Sequence, residues 1–141
     1  MNIKNELEIA KLAAVEAGNL LLSKKPLLKK TIFTSNKDIK LEADVSAENL
    51  IKNILMNKSI HPILAEESGK SQENLDDIYW VVDPLDGTAN YDRGIPICCV
   101  SIALMNKTNP LLGVIYDFNC NNLYEGCINE GAKLNDNLIE V

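Results

Sequence analysis

"ICCVSIALMNKTNPLLGVIYDFNCNNLYEGCI", residues 97–128, contains three apolar, strand-length runs: Ile97 to Leu104, Leu111 to Phe118 and Leu123 to Ile128. The connections between them, residues 105–110 and 119–122, are too short for a crossover helix. Consecutive strands joined this way pair antiparallel, so the stretch reads as a meander. Upstream, Ile78 to Val82 and Pro62 to Ala65 are two further short extended runs. The chain before them changes period. Leu7, Ala10, Ala14, Ala17 and Leu21 recur in steps of three and four, which writes one face of a helix from Ile3 to about Lys25, stopped by Pro26. Residues 27–43 read as loop with possible strand, and residues 69–77 as a polar loop. A second helix is written by Ala47, Leu50, Ile51, Ile54 and Leu55, with Asp44 or Ser46 able to cap its start. Two helices followed by a mostly antiparallel sheet make the expected fold class α+β.

Composition narrows the function. With 141 residues and 46% apolar content, the chain has material for one domain, 1–141, with a core of its own. No run approaches the about 20 apolar residues of a membrane span, and the amino terminus reads as an amphipathic helix rather than a signal peptide. A cytoplasmic protein without membrane partners is expected. The net charge of -6 and the small size of the pairs Lys24-Lys25 and Lys29-Lys30 argue against nucleic acid as a partner. Cys98, Cys99, Cys120 and Cys127 form no C-x-x-C pair, and His61 is the one histidine, so a zinc site of the usual kind is poorly supported. Reduced thiols are the simpler reading.

The acids carry the chemistry. In "WVVDPLDGTANY", residues 80–91, an apolar strand runs into Asp83, Pro84, Asp86, Gly87 and Thr88. An isolated D-P-x-D-G-T is an ordinary turn, and Glu66-Glu67-Ser68 alone is a solvated acidic pair. Asp38 and Asp44, flanking Lys40 and Glu42, taken alone are a surface charge pattern. If the strands ending at Ala65 and Val82 lie side by side, however, Glu66, Glu67 and Asp83 gather at one end. Such a cluster is unstable without a cation. Carboxylates and carbonyls suit a hard divalent ion, Mg²⁺ above all. Pro84 would hold Asp83 extended and turn the chain so that Asp86 faces the same ion, with the Leu85 carbonyl as a further oxygen. Gly87 and Thr88 would open a helical turn whose amides face an anion.

In the order "KDIKLEAD" (37–44), "AEES" (65–68), "WVVDPLDGTANY" (80–91), "VSIAL" (100–104), "GVIYD" (113–117) and "EGAKLN" (130–135), the sequence resembles the inositol monophosphatase family. These are lithium-sensitive, magnesium-dependent phosphatases related to fructose-bisphosphatases and bisphosphate-nucleotide phosphatases. The resemblance implies the N-terminal half of a layered αβαβα fold. It implies a first Mg²⁺ on Glu66, Asp83 and the Leu85 carbonyl, a second on Asp83 and Asp86, and a weaker third again on Glu66, with Li⁺ as inhibitor. Asp44 and Thr88 correspond to an acid–hydroxyl pair that orients and deprotonates the attacking water, giving Asp44, Glu66 and Thr88 catalytic roles. Gly87 and Thr88 amides would bind the substrate phosphate, while Glu67 and Asp38 would support the ligands from behind. The implied reaction is hydrolysis of a small polyol or sugar phosphate by direct attack of a metal-bound water, in a homodimer.

Two other readings bear on the same residues. A phosphatase using an aspartyl nucleophile ends its strand in D-x-D-G-T, and here the acids are one residue further apart, with a proline between them. The family's chains also continue into a second α/β half after the region ending "GAKLND", which completes the second metal site and the polyol pocket. The expected alternative is therefore a truncated or noncatalytic metal-binding half that needs a second polypeptide, with a bisphosphate-nucleotide phosphatase as a further substrate reading.

Overall fold

The computed structural model describes residues 1–23, 31–34 and 39–140. Helix α1, Ile3–Ser23, buries Ile9, Ala10, Ala13, Ala14, Ala17, Gly18 and Leu21 along one face. Its small residues let the helix approach the sheet closely: a Cβ at Gly18 would overlap the Tyr116 ring. Asn2 opens the helix, its Oδ1 accepting the Asn5 amide at 3.2 Å. Pro26 and the paired lysines of residues 24–30 lie outside the described residues.

Strand β1, Thr31–Thr34, pairs antiparallel with β2, Ile39–Leu41, as a separate ribbon. Helix α2, Glu42–Lys58, follows β2 without a loop. This corrects the expected start at Asp44 or Ser46. Asp44 instead occupies the third helical position and folds back, its Oδ2 accepting the Leu41 amide at 2.9 Å. The acid therefore satisfies an orphan amide from inside the first turn rather than from before it. Ala43, Ala47, Ile51 and Leu55 form the buried face of α2.

The main sheet has eight strands, in the order β10-β9-β8-β7-β6-β5-β3-β4. They are β3 (Ile63–Ala65), β4 (Gly69–Lys70), β5 (Ile78–Asp86), β6 (Cys99–Asn106), β7 (Asn109–Asp117), β8 (Asn122–Cys127), β9 (Gly131–Leu134) and β10 (Asn137–Ile139). The meander expected over residues 97–128 is present as β6, β7 and β8, each antiparallel to the next. Only β3 and β5 run parallel. The architecture is α+β, as the sequence implies.

Three boundaries differ from the sequence reading. The stretch 69–77, expected as loop, contributes the two-residue β4 against β3. Strand β5 does not stop at Val82 but continues through the acids to Asp86, with a register shift between Asp83 and Asp86 opposite β6. Pro84 has no amide to give the ladder, so the irregularity falls where pairing is already broken. The hairpin β9–β10 was not foreseen. Its turn uses Asn135 and Asp136, both at positive φ (48° and 68°), a conformation that these residue types tolerate best after glycine.

Helices α1 and α2 cover one face of the sheet. There Trp80, Val82, Val100, Ile102, Leu104, Leu112, Val114 and Tyr116 alternate inward and meet the helices. The other face presents Ser101, Ala103, Gly113, Ile115 and Tyr124 around a shallow apolar groove, with Ile115 45% and Tyr124 38% exposed. Among the described residues, no helix is long and apolar enough to cross a membrane.

The short helix α3, Thr88–Asp92, starts from Gly87 at φ 90°. An L side chain is strained there, and a Cβ would sit 2.8 Å from the Ile97 carbonyl oxygen, so this turn requires glycine. Tyr91 secures the helix. Its hydroxyl donates to the Leu21 carbonyl at 2.7 Å, and its ring meets Phe118 edge-on at 6.3 Å.

Candidate active site

The parallel pairing of β3 with β5 builds the site. Ala65 lies opposite Val82, so both strands deliver an acid at the next position, Glu66 and Asp83. The Glu66 amide donates to the Val82 carbonyl at 3.0 Å and fixes the crossing. The two carboxyl groups lie close enough for Glu66, when protonated, to hydrogen-bond to Asp83. That bond, with partial burial and the negative charges of Asp83, Glu67 and Asp44 behind it, pushes Glu66 up to about 8. Glu66 holds its proton longer because a second negative charge so close to its neighbours is costly.

Next to this pair stands the acid–hydroxyl couple that the sequence singles out. Thr88 Oγ1 donates to Asp44 Oδ1 at 2.9 Å and lies 3.1 Å from the Leu85 carbonyl oxygen. Asp44 is 1% exposed. Burial raises its pKa, while the hydrogen bonds from the Leu41 amide and Thr88 act the other way. Asp83 Oδ1 accepts the Leu85 amide at 3.2 Å, an Asx-type turn over Pro84 that fixes both the carboxylate and the Leu85 carbonyl. Asp44, Glu66, Asp83, Leu85 and Thr88 thus come together although they span residues 44–88.

The remaining candidates are placed differently. Asp86 is exposed at the end of β5 and faces Cys99 across the ladder, with Cys99 Sγ 3.9 Å from its Oδ2. Glu67 donates its backbone amide to Glu48 Oε1 at 2.8 Å, and its charge bears on Glu66 and Asp44. Gly87 and Thr88 form the start of α3 beside the acids. Asp38 and Lys37 lie outside the described residues.

Sequence reasoning missed Glu48, which is 2% exposed and holds the Glu67 main chain in place. It stands four residues after Asp44 on the buried face of α2, and that spacing was the signal available.

Among the described residues, no group of three or more His, Cys, Asp or Glu side chains is placed to hold a metal ion together. Mg²⁺ does not need one, since it binds through one or two carboxylates and keeps several waters. Two adjacent carboxyl groups, with an oriented carbonyl beside them, are what such an ion would engage, displacing the proton that Glu66 holds. The residues fit the ion.

A protein-family model described as the inositol monophosphatase family matches residues 3–141. Among curated relatives, the Nus factor SuhB of Pasteurella multocida is 38% identical over 138 residues, covering 96% of this chain and 52% of its own. The fructose-1,6-bisphosphatase/inositol-1-monophosphatase of Aquifex aeolicus is 34% identical over 143 residues, covering 99% of this chain and 54% of its own. The solved structure of inositol monophosphatase from Anabaena (Nostoc) sp. PCC 7120 superposes with a TM-score of 0.84 at 35% identity, over 100% of this chain and 51% of that one. The chain spans about half the length of the curated relatives it matches.

Proposed function

As the chain belongs to the inositol monophosphatase family, we propose that it is the metal- and phosphate-binding half, the N-terminal one, of a Mg²⁺-dependent phosphomonoesterase acting on a small polyol or sugar phosphate. One observation carries the reading: the Asp44–Thr88 hydrogen bond, on a buried Asp44, stands beside the carboxyl groups of Glu66 and Asp83 at the ends of the parallel strands. Glu66, Asp83 and the Leu85 carbonyl would hold a first ion, Asp83 and Asp86 a second, and Glu66 again a weaker third. Ions there would supply Lewis acidity toward the phosphoryl oxygens and lower the pKa of water.

The chain's own groups do the rest. Thr88 commits its hydroxyl proton to Asp44, which leaves the Thr88 oxygen able to accept a proton from water. Burial makes Asp44 a stronger base than a solvated aspartate, so as the Thr88 oxygen gains a proton from water, Asp44 is suited to take the hydroxyl proton that Thr88 gives up. The Gly87 and Thr88 amides, at the start of α3, would hold the phosphate oxygens. No histidine, cysteine or serine nucleophile is required, and no phosphoenzyme forms.

A second reading has one observation behind it: no described helix covers the apolar sheet face around Ile115 and Tyr124. That face fits a metal-binding half that works with a second polypeptide or as a homodimer. The test is release of inorganic phosphate from inositol monophosphate by the purified chain with Mg²⁺, run beside a nucleotide 3′-phosphate and with Li⁺ added. Turnover that is lost in Asp44→Asn and suppressed by Li⁺ supports the first reading. Turnover that appears only when the second half of a relative is supplied supports the second. A Mg²⁺-independent rate, or an acyl phosphate trapped on Asp83, would overturn both.

A further inference from the structure

Glu66 and Asp83 are held by unlike means. Asp83 lies inside the nine-residue β5, where its main chain faces Ser101 of β6. Glu66 lies just past the end of the three-residue β3, exposed in the turn of residues 66–68 that leads to β4. A carboxyl in an exposed turn samples many directions unless its backbone is fixed. Here it is fixed on both sides. The Glu66 amide donates to the Val82 carbonyl at 3.0 Å, and the next amide, that of Glu67, donates to Glu48 Oε1 at 2.8 Å. Both peptide planes flanking the Glu66 Cα are therefore anchored, and with them the soft backbone dihedrals that aim its side chain. The first anchor joins main chain to main chain. The second depends on one side chain.

That side chain stands on a rigid support. Glu48 is 2% exposed, on a helix packed against both α1 and β5, so water has little access to its bond. Asp44, one turn earlier on the same helix, holds Thr88. Lys52, one turn later, donates to Ser68 Oγ at 3.0 Å, but this contact is exposed and water replaces it readily. Helix α2 thus registers the acid–hydroxyl couple and the carboxyl pair against each other. We propose that Glu48 is a positioning residue: by anchoring the Glu67 amide it aims the Glu66 carboxyl toward Asp83 and so sets the affinity of the site for a divalent cation. The inference rests on the reading of Glu66 and Asp83 as ligands of a hard ion, and it adds a residue that touches no ion yet governs how well one is held.

The experiment compares Glu48→Gln, whose side-chain oxygen can still accept the Glu67 amide, with Glu48→Leu, which cannot. Mg²⁺ binding to the full chain is measured by calorimetry, and exchange of the Glu67 amide is followed by NMR in chelator. Circular dichroism and urea unfolding check that each variant is folded. Glu48→Leu is expected to weaken Mg²⁺ binding by at least about tenfold, as loss of a group that orients a ligand does. It also speeds exchange of the Glu67 amide. Glu48→Gln keeps the slow exchange and most of the affinity. A folded Glu48→Leu variant that is less stable but binds Mg²⁺ as the wild type does overturns the inference and leaves the hard-cation reading intact. So does a Glu48→Gln variant that loses as much affinity as Glu48→Leu, since charge rather than the hydrogen bond would then be at work. If Glu48→Leu does not fold, Glu48→Gln decides, together with the wild-type exchange: an unprotected Glu67 amide overturns the anchor. A wild type that binds no Mg²⁺ sinks the hard-cation reading instead, and slow Glu67 exchange that is lost only in Glu48→Leu then still supports the anchor on Glu66.

Discussion

Replacing Thr88 by valine keeps the side-chain volume but removes one hydroxyl, and with it the 2.9 Å hydrogen bond to Asp44 Oδ1. Asp44 is 1% exposed, so water does not substitute for the lost donor, and the Leu41 amide at 2.9 Å is left as its principal support. A hydrogen bond to a charged group contributes about 1.5–3 kcal/mol, and stranding its buried acceptor puts the loss in the upper part of that range. The pair is isolated by a double-mutant cycle of Thr88→Val, Asp44→Asn and both together, read by urea unfolding at neutral pH. The expected coupling energy is about 1.5 kcal/mol or more. The pH dependence has a sign. Thr88 lowers the Asp44 pKa against the raising effect of burial, so its removal raises that pKa further. The destabilisation is therefore smallest in acid, where Asp44 is protonated in both proteins, and grows as pH rises through its titration. A coupling below about 0.5 kcal/mol, the scatter of independent sites, or a destabilisation that shrinks with rising pH, refutes the pairing as the organising bond of the site.

Glu66 gives a second pH test. Its folded-state pKa, about 8, lies above its ordinary value of 4.5, so its contribution to stability is complete below 4.5 and is lost as pH rises toward 8. In chelator the urea midpoint should fall across that window, by an amount that solvent at Glu66 keeps modest; Mg²⁺ should cancel the decline, and Glu66→Gln should flatten it. A decline as steep in Glu66→Gln as in the wild type would remove the carboxyl pair as its cause. Gly18→Ala places a methyl against the Tyr116 ring, whose hydroxyl is already bonded to Asn121 Oδ1 at 2.8 Å. Overpacking of this kind costs about 1–3 kcal/mol, to be read from the urea midpoint, whereas the same change at an exposed helical glycine is stabilising.

The sequence made the meander legible because 105–110 and 119–122 admit only hairpins, and the acids legible because apolar runs end in them. What it concealed has identifiable causes. Asp44 reads equally well as a cap before α2 and as an acid inside its first turn, and β2 decides between them by running straight into the helix. Pro84 reads as a strand terminator, yet β5 carries it as an irregularity because β6 resumes pairing at Asp86. Hairpin β9–β10 lacks the apolar alternation of a half-buried strand, all of β10 being exposed, so only the Asn135–Asp136 turn announced it. The nearness of Glu66 to Asp83 was conditional on β3 lying beside β5, a long-range pairing that neither segment specifies by itself.

That connectivity also orders the events of biosynthesis. From β5 to β10 each strand pairs with its sequence neighbour, so the meander closes through short loops at small entropic cost. Helix α1 leaves the ribosome before all of its partners: α2 is the next of them, but β6, β7 and β8 lie between residues 99 and 127. Helix α2 can meet α1 early, but the sheet side of α1 waits for residues 99–127, and the window in which a chaperone can hold that face is set by the position of its partners rather than by its own sequence.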